Sequence, residues 1–180
     1  ARSEDRLHSL SGEIRGTGHI FHQADLTQKK DLGAFHKTVI EGFGGLDVLI
    51  NNVGGILKLA TFFDLEDEDW EDSFNLNLMP AVRLSRLFVH ALKHSGSPRI
   101  INISSIAAIK PSEVFPHYSA MKAALSNLTS SLAQVLAKEN ILVNSISPGP
   151  VWTRSWETEA ENIAEQSGIN IQKTRQDIQT

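Results

Sequence analysis

Three short apolar segments alternate with long helical patterns in this chain, and the alternation limits the fold to a few architectures. The segments LDVLINN (46–52), RIINIS (99–104) and ILVNSIS (141–147) are runs of the kind that parallel sheets bury on both faces. Helical patterns over 67–94 and 117–138 separate them. Strands that alternate with helices form right-handed βαβ units. The sequence therefore predicts an α/β fold, with a doubly wound parallel sheet covered by helices.

The first part of the chain continues this alternation but contains a misleading glycine pattern. We predict a helix over 3–10 with Ser3 at its N-cap, a strand over 19–24 and a helix over 28–43. The glycines of SGEIRGTG (11–18) have a spacing like that of a phosphate-binding loop. Such a loop needs a strand before the glycines and a helix after them, whereas here the helix comes first. We therefore interpret the glycines as a turn that uses positive φ.

Charge and cysteine content exclude several classes of function. The 180 residues carry a formal net charge of −4 and include no cysteine. A disulfide framework and a thiolate metal site are therefore excluded, and nucleic acid or anionic lipid would meet no broad electrostatic attraction. No apolar run approaches the ~18 residues of a membrane span. We expect a cytoplasmic protein that binds a small molecule, with no nucleic-acid or membrane partner.

The segment HYSAMKAAL (117–125) contains the only tyrosine of the chain, Tyr118, and Lys122 follows four residues later. Residues four apart share a helix face, so the ammonium can lie near the phenol and favour its phenolate form. By itself this short pattern is more typical of packing on an amphipathic helix. Ligands of parallel sheets bind beyond the carboxyl ends of the strands, which favours a functional site if polar residues collect there. Such residues follow the predicted strands: Asp25, Asn51, Asn52, Ser104, Ser105 and Ser147.

Two further spacings give the tyrosine a functional interpretation. Ser105 lies thirteen positions before Tyr118, and Asn77 lies seven positions after Trp70. Together with Lys122, these residues resemble the catalytic set of the short-chain dehydrogenase/reductases, NAD(P)-dependent enzymes with a Rossmann-like sheet. The resemblance implies that Tyr118 exchanges a proton with the substrate oxygen, and that Ser105 stabilises charge on that oxygen. It also implies that Lys122 favours the phenolate and holds the nicotinamide ribose, while Asn77 anchors a water linked to Lys122.

Other segments resemble the cofactor-binding motifs of this family. They are ADLT (24–27), NNVGG (51–55), in which valine replaces the usual alanine, and SPGPVWT (147–153). ARSEDRL (1–7) resembles the segment after the family's second strand, where an arginine accompanies a preference for NADP because a guanidinium binds the 2′-phosphate. The resemblance therefore implies NADP, with NAD as the alternative. The cofactor contacts that it implies are Arg2, Ser3, Asp25, Leu26, Asn51, Gly54, Tyr118, Lys122, Pro148, Gly149, Val151 and Thr153.

The resemblance also implies an incomplete domain. The chain begins at Ala1, just after the position of the family's second strand, so we expect a single domain over 1–180 without the N-terminal β-α-β unit and the C-terminal end. The long helices of this family commonly pair between subunits, which implies a homodimer or a homotetramer. Two functions stay open. One is an NAD(P)-dependent oxidoreductase that interconverts an alcohol and a ketone or aldehyde, which the four matching residues favour. The other is a non-catalytic scaffold or regulatory subunit that has lost dinucleotide binding, which the missing glycine loop favours.

Several remaining features have plainer interpretations. The acidic segment 64–72 is predicted to be a solvated helix start, favoured by the helix dipole, rather than a metal loop. His117 points about 100° away from the neighbouring tyrosine and is expected at the rim of the pocket at most. The segment NISSI lacks the glycines of a nucleophile elbow, which excludes that type of serine hydrolase. Trp152 and Trp156 either line an apolar substrate pocket or cover the core.

Overall fold

Three parallel strands form the sheet that positions the site. A computed structural model of the chain describes residues 2–149. The strands are β1 (Val48–Asn51), β2 (Arg99–Ile103) and β3 (Leu142–Ile146), with β2 in the middle. Both neighbouring pairs are parallel. The predicted α/β fold with a parallel sheet is confirmed, and each strand is slightly shorter than its apolar segment.

Helices cover one side of this sheet. The α-helices of residues 2–149 are α1 (Glu4–Glu13), α2 (Lys29–Phe43), α3 (Asp67–Asn77), α4 (Met79–Leu92) and α5 (Pro116–Leu136). Helix α4 packs on β1 and β2, and α5 packs on β2 and β3. Helix α3 packs against α5. Within this part of the chain, no helix has the length and apolar character needed to cross a membrane.

The prediction of one helix over 67–94 is wrong, because the chain interrupts it at Leu78. This residue has φ −120° and ψ −52°, and it ends α3 and precedes α4. Pro80 explains the interruption. A proline inside a helix has no N–H to donate and crowds the carbonyl four residues earlier, whereas it is tolerated in the first turn of a new helix. As a consequence, Asn77 is the last residue of α3.

The N-terminal part has the predicted helices but not the predicted strand. Ser3 caps α1, since its Oγ accepts a backbone N–H of the first turn at 3.3 Å. The turn after α1 places Gly16 at φ 97° and Gly18 at φ 82°, which confirms the interpretation of the glycines. The prediction of a strand over 19–24 is wrong, because none of the described strands pairs with these residues.

One face of the sheet is buried and the other is exposed. Leu49, Ile100 and Val143 are buried under the helices, whereas Ile50 is 57% exposed and Leu142 is 51% exposed. The prediction that the strands are buried on both faces is therefore wrong for residues 2–149. An apolar run shows that both faces suit burial, but it does not show what covers each face. The buried core cluster comprises Leu32, Val39, Leu49, Leu84, Phe88, Leu92, Ile100, Leu136, Ile141 and Val143.

The chain divides into two units, Ala1–Ser147 and Pro148–Thr180. Of the second unit, the described residues are Pro148 and Gly149. The expected single domain over 1–180 stays a prediction. All the site geometry that follows belongs to the first unit.

Candidate active site

Helices α3 and α5 bring Asn77 and Lys122 to the same point beside the loop after β1. Asn77 is 1% exposed and Lys122 is 4% exposed. Gly54 lies between them: a Cβ at this position would stand 2.7 Å from Asn77 Oδ1 and 3.0 Å from Lys122 Nζ. A Cβ atom is essentially never found as close as 2.7 Å to a heavy atom to which it is not bonded. The site therefore needs glycine at position 54 for steric reasons.

The Asn77 side chain fixes the loop after β1 to the end of α3. Its Oδ1 accepts the backbone N–H of Gly55 at 2.9 Å, and its Nδ2 donates to the Gly55 carbonyl at 3.1 Å. The same Nδ2 also donates to the Ser73 carbonyl at 3.2 Å. This amide thus satisfies both backbone groups of one loop residue. The predicted role of Asn77 in anchoring a water stays a prediction.

Lys122 is a buried cation with one hydrogen bond in the described part of the chain. Its Nζ donates to the carbonyl of Ile103, the last residue of β2, at 2.8 Å. Burial lowers the pKa of Lys122 to about 8, because the charged form loses hydration. An ammonium has three N–H groups, so two donors of Lys122 are available to a ligand. The Nζ lies 5.7 Å from the centroid of the Tyr118 ring, as the shared helix face predicted.

Tyr118 combines a packed ring with an available hydroxyl. The residue is half-buried, and its ring meets Phe115 edge to face at a centroid distance of 5.9 Å. Among residues 2–149 no group hydrogen-bonds the Tyr118 hydroxyl. The packing fixes the ring while the hydroxyl can reach a ligand.

The two neighbouring serines after β2 have different surroundings. Ser104 is buried, and its Oγ donates to the Lys122 carbonyl at 3.0 Å and lies 2.7 Å from Ser126 Oγ. Ser105 is half-buried and caps a 3-10 turn, with its Oγ accepting the Ala107 N–H at 3.1 Å. Because Ser105 accepts in this bond, its hydroxyl proton remains available. The turn that it caps packs against α5.

The predicted adenine side of the site lies around the loop between residues 24 and 28. Asp25 Oδ1 accepts the Thr27 backbone N–H at 2.9 Å and the Thr27 hydroxyl at 2.8 Å. These bonds lower the pKa of Asp25 and keep its carboxyl ionised. Arg83, which the sequence interpretation missed, donates from Nη1 to the Thr27 carbonyl at 2.8 Å. The Leu26 side chain packs against the core.

A cavity of about 370 Å³ opens beside this loop. Arg2 lines it, and the Oγ of the neighbouring Ser3 accepts the Arg6 N–H as the cap of α1. The predicted cofactor contacts of Arg2 and Ser3 stay predictions. Thr27, which belongs to the ADLT segment, also lines the cavity. No motif in the sequence indicated the remaining lining residues, which are Gln28, Leu57, Asp72, Asn75 and Leu76.

Asn51 begins a chain of buried hydrogen bonds that runs from the sheet into α5. Its Nδ2 donates to Asn102 Oδ1 at 2.8 Å, and Asn102 Nδ2 donates to Thr129 Oγ1 at 2.8 Å. Thr129 in turn donates to the Leu125 carbonyl at 2.8 Å. Asn51 Oδ1 is buried without a partner in the described residues. Its predicted contact with the cofactor stays a prediction.

The expectation that His117 lies at the rim of the pocket is wrong. The residue is 1% exposed, and its ring meets Trp70 of α3 edge to face at 6.2 Å. Adjacent helical residues diverge by about 100°, so His117 turns into the α3–α5 interface while Tyr118 turns elsewhere. Burial lowers the pKa of His117. The sequence contained no signal that would distinguish a buried histidine from an exposed one at this position.

The acidic segment has the predicted structural role. Asp69 and Glu66 form a capping box at the start of α3, and Asp69 Oδ2 accepts Lys58 Nζ at 2.6 Å. Within residues 2–149 no group of three His, Cys, Asp or Glu side chains could hold a metal ion. Other predicted residues lie outside the described part of the chain. These are Val151, Trp152, Thr153 and Trp156.

Comparison with known proteins identifies the family. The model of the short chain dehydrogenase family matches residues 1–164, so the chain belongs to this family. The uncharacterized oxidoreductase YvrD of Bacillus subtilis is 35% identical over 93% of this chain and 63% of its own length. YvaG of the same species is 33% identical over 75% of this chain and 51% of its own length. The chain thus spans less than two thirds of either relative.

Solved structures support the same conclusion. The L-sorbose reductase of Gluconobacter frateurii, in complex with NADPH and L-sorbose, matches with a TM-score of 0.86 and 32% identity. That match covers 96% of this chain and 66% of the reductase. A short-chain dehydrogenase of Streptomyces avermitilis matches with a TM-score of 0.77 and 28% identity, over 86% of this chain and 56% of its own. The Rossmann-like class of the fold is therefore confirmed.

Proposed function

We propose that this chain carries the proton-transfer site of an NAD(P)-dependent oxidoreductase that interconverts an alcohol and a ketone or aldehyde. The observation that carries the proposal is the buried Lys122 ammonium beside the Tyr118 ring. Burial of a cation is costly unless it is compensated. An amphipathic helix that merely packed its apolar face would not need one there. Buried ionisable groups with a shifted pKa cluster at functional sites.

In the proposed reaction, Tyr118 transfers the proton and its neighbours support the transfer. The phenol accepts a proton from the substrate hydroxyl in oxidation and donates it to the carbonyl oxygen in reduction. The Lys122 cation favours the phenolate form by electrostatic attraction. Ser105 donates its available hydroxyl proton to the reacting oxygen and stabilises the charge that develops there. The nicotinamide, when bound, supplies or accepts the hydride.

The residues present fit a dinucleotide. Gly54 keeps open the space beside Lys122 Nζ that a Cβ would fill, and the two remaining N–H donors of Lys122 suit the hydroxyls of a ribose. At the other end, Arg2 lines the cavity beside Thr27 and would hold a 2′-phosphate. NADP is therefore the proposed cofactor, with NAD as the alternative. The NADPH complex of the similar L-sorbose reductase supports this choice.

We also infer that the protein forms a homodimer or a homotetramer in the cytoplasm. A groove of about 570 Å³ between α4 and α5 supports the inference, because its lining is mostly small or apolar. The apolar part of that lining comprises Leu78, Val82, Ala123, Ala124 and Leu128. Sedimentation equilibrium measures the mass in solution, and a monomer at micromolar concentration would contradict the inference.

Cofactor binding and turnover test the proposed function. We would measure the mass of the natural protein, titrate it with NADPH and NADH by fluorescence, and assay it in both directions with ketones and alcohols, L-sorbose among them. We expect saturable binding of NADPH and its oxidation by at least one carbonyl compound. An intact protein that binds neither dinucleotide would contradict the proposal and favour a non-catalytic scaffold.

A further inference from the structure

His117 is a buried imidazole that the proposed reaction does not use. It lies in the first turn of α5, directly before Tyr118, and is 1% exposed. Neither Nδ1 nor Nε2 has a hydrogen-bond partner among the described residues. Buried polar groups are nearly always hydrogen-bonded, so an imidazole without a partner at this position requires an explanation.

His117 contacts Trp70 in the interface between α3 and α5, the two helices that provide residues of the proposed site. Helix α3 provides Trp70 and Asn77, and helix α5 provides His117, Tyr118 and Lys122. Near Asn77, hydrogen bonds hold α3 to the loop beside Lys122. At Trp70, the described contact with α5 is the edge-to-face packing of two rings at 6.2 Å. This ring contact lies in the first turn of α5, next to Tyr118.

The charged groups around His117 do not offer it a partner. Those that act on it are Asp69 of α3 and Lys58 of the loop after β1. They bond each other at 2.6 Å, and the same Asp69 oxygen also accepts the Glu66 N–H at 2.9 Å. Burial lowers the pKa of His117 by more than Asp69 raises it, and Lys58 lowers it further. An imidazolium here would be buried without a bonded counter-ion, which is unfavourable.

We propose that His117 is a positioning residue for Tyr118: as a neutral ring it holds the first turn of α5 against α3, and on taking up a proton it releases that turn. This positioning role rests on the proposed function of Tyr118. The release itself is a property of the fold and can be measured without turnover.

The direction of the pH dependence follows from burial. An unfolded chain protonates histidine at its ordinary pKa near 6.5, whereas burial lowers the pKa of His117 in the folded protein. The unfolded state therefore binds more protons in the window just below 6.5. Stability from this residue is fully present above that window and is lost as the pH falls through it.

Thermal unfolding of the whole chain as a function of pH tests the release. Between pH 7.5 and 5.5 we expect the melting temperature of the parent protein to fall by about 3 °C more than that of His117→Phe, which keeps an aromatic ring against Trp70. His117→Gln, which is also neutral at every pH, serves if the phenylalanine variant does not fold. His8→Gln is the matched control, because His8 is exposed on α1, and it should behave like the parent.

Amide hydrogen exchange tests whether the released part is the turn that carries Tyr118. After correction for the intrinsic rates, we expect peptides covering 112–122 to lose protection at pH 5.5 relative to pH 7.5, and peptides covering 126–136 to change less. In His117→Phe, or in His117→Gln, this loss should disappear. A neutral variant with the same pH dependence as the parent, in either measurement, would overturn the proposal, and neither result depends on whether the protein is an enzyme.

Discussion

The reacting end and the adenine end of the proposed site differ in how the fold holds their side chains. Asn77 and Lys122 are nearly fully buried and are fixed by hydrogen bonds to backbone groups of neighbouring elements. Arg2 and Gln28, at the other end, are exposed. The buried hydrogen bonds fix the positions of Asn77 and Lys122, whereas the exposed Arg2 mainly provides a positive charge. We therefore expect substitutions at the reacting end to change rate and folding, and substitutions at the adenine end to change affinity by smaller factors.

The largest effect should come from Tyr118→Phe. Removal of the hydroxyl should lower kcat by about 10²–10⁴-fold, the range typical of general acid–base groups. Because the Phe115 contact involves the ring alone, the melting temperature and the dissociation constant of NADPH should stay close to the parent values. Steady-state kinetics with a melting curve and a cofactor titration provide the three values. A phenylalanine variant that keeps its activity would contradict the proposed role of Tyr118 in proton transfer.

Ser105→Ala should give the next largest loss of kcat, about 10²-fold, because the reacting oxygen loses a donor. The neighbouring Ser104→Ala is the matched control. Its hydroxyl bonds the Lys122 carbonyl inside the fold, so its loss should cost about 1–3 kcal/mol of stability with little change in kcat. The opposite pattern, with Ser104 controlling kcat, would show that the two serines have been assigned the wrong way round.

Gly54→Ala should damage the reacting end through sterics. The new Cβ would meet Asn77 Oδ1 at 2.7 Å, and we expect a loss of about 1–3 kcal/mol in stability as the loop moves away. Gly55→Ala is the control, because nothing lies within 4 Å of its added Cβ. Urea unfolding of both variants measures the difference. Equal losses would contradict the close approach at position 54.

The protonation of Lys122 should give a pH-dependent affinity for cofactor. Its pKa of about 8 means that the free protein loses this charge as the pH rises through 8. NADPH should therefore bind about tenfold more weakly at pH 9.5 than at pH 7, as one charge-assisted hydrogen bond is lost. Lys122→Met should bind weakly with no such dependence. A parent protein whose affinity is constant over this range would contradict the role of Lys122.

Folding stability should respond to Lys122 in the opposite direction. An unfolded lysine keeps its proton up to about 10.5, so between about 8 and 10.5 the unfolded state binds more protons than the folded one. The contribution of Lys122 to stability should therefore increase with pH across this window. Comparison of the parent with Lys122→Met isolates it from other groups.

The smallest effect should come from Arg2→Gln at the exposed adenine end. We expect about fivefold weaker binding of NADPH or less, because an exposed ionic contact contributes little, and no change for NADH. Arg6→Gln, on the exposed side of α1, is the control. Equal weakening of both cofactors would show that Arg2 does not contact the 2′-phosphate.

The sequence was sufficient for the features that depend on local pattern. The short apolar runs predicted all three strands of the described sheet, and the i, i+4 spacing predicted the proximity of Lys122 to Tyr118. The interruption at Leu78 could also have been predicted, since Pro80 is incompatible with a continuous helix. Each of these features is determined within a few residues of the chain.

Features that depend on partners distant in sequence could not be predicted. The burial of His117 follows from Trp70 on another helix, and the hydrogen bonds of Asn51 follow from Asn102 on another strand. Likewise, the exposure of Ile50 depends on what covers the sheet rather than on the strand that contains it. Neither periodicity nor motif spacing records which distant residue will be the neighbour.

The buried chain of hydrogen bonds from Asn51 to Thr129 also discourages mispairing of the sheet. Asn51 and Asn102 are opposite one another in the pairing of β1 with β2. If β1 slipped by one residue so that Ile50 lay opposite Asn102, its side chains would change faces, and the carboxamide oxygen of the buried Asn102 would be unpaired. An unpaired buried amide costs about 1–3 kcal/mol. The Asn51–Asn102 pair therefore destabilises misaligned pairings of β1 with β2. Two apolar residues at these positions would not have this effect.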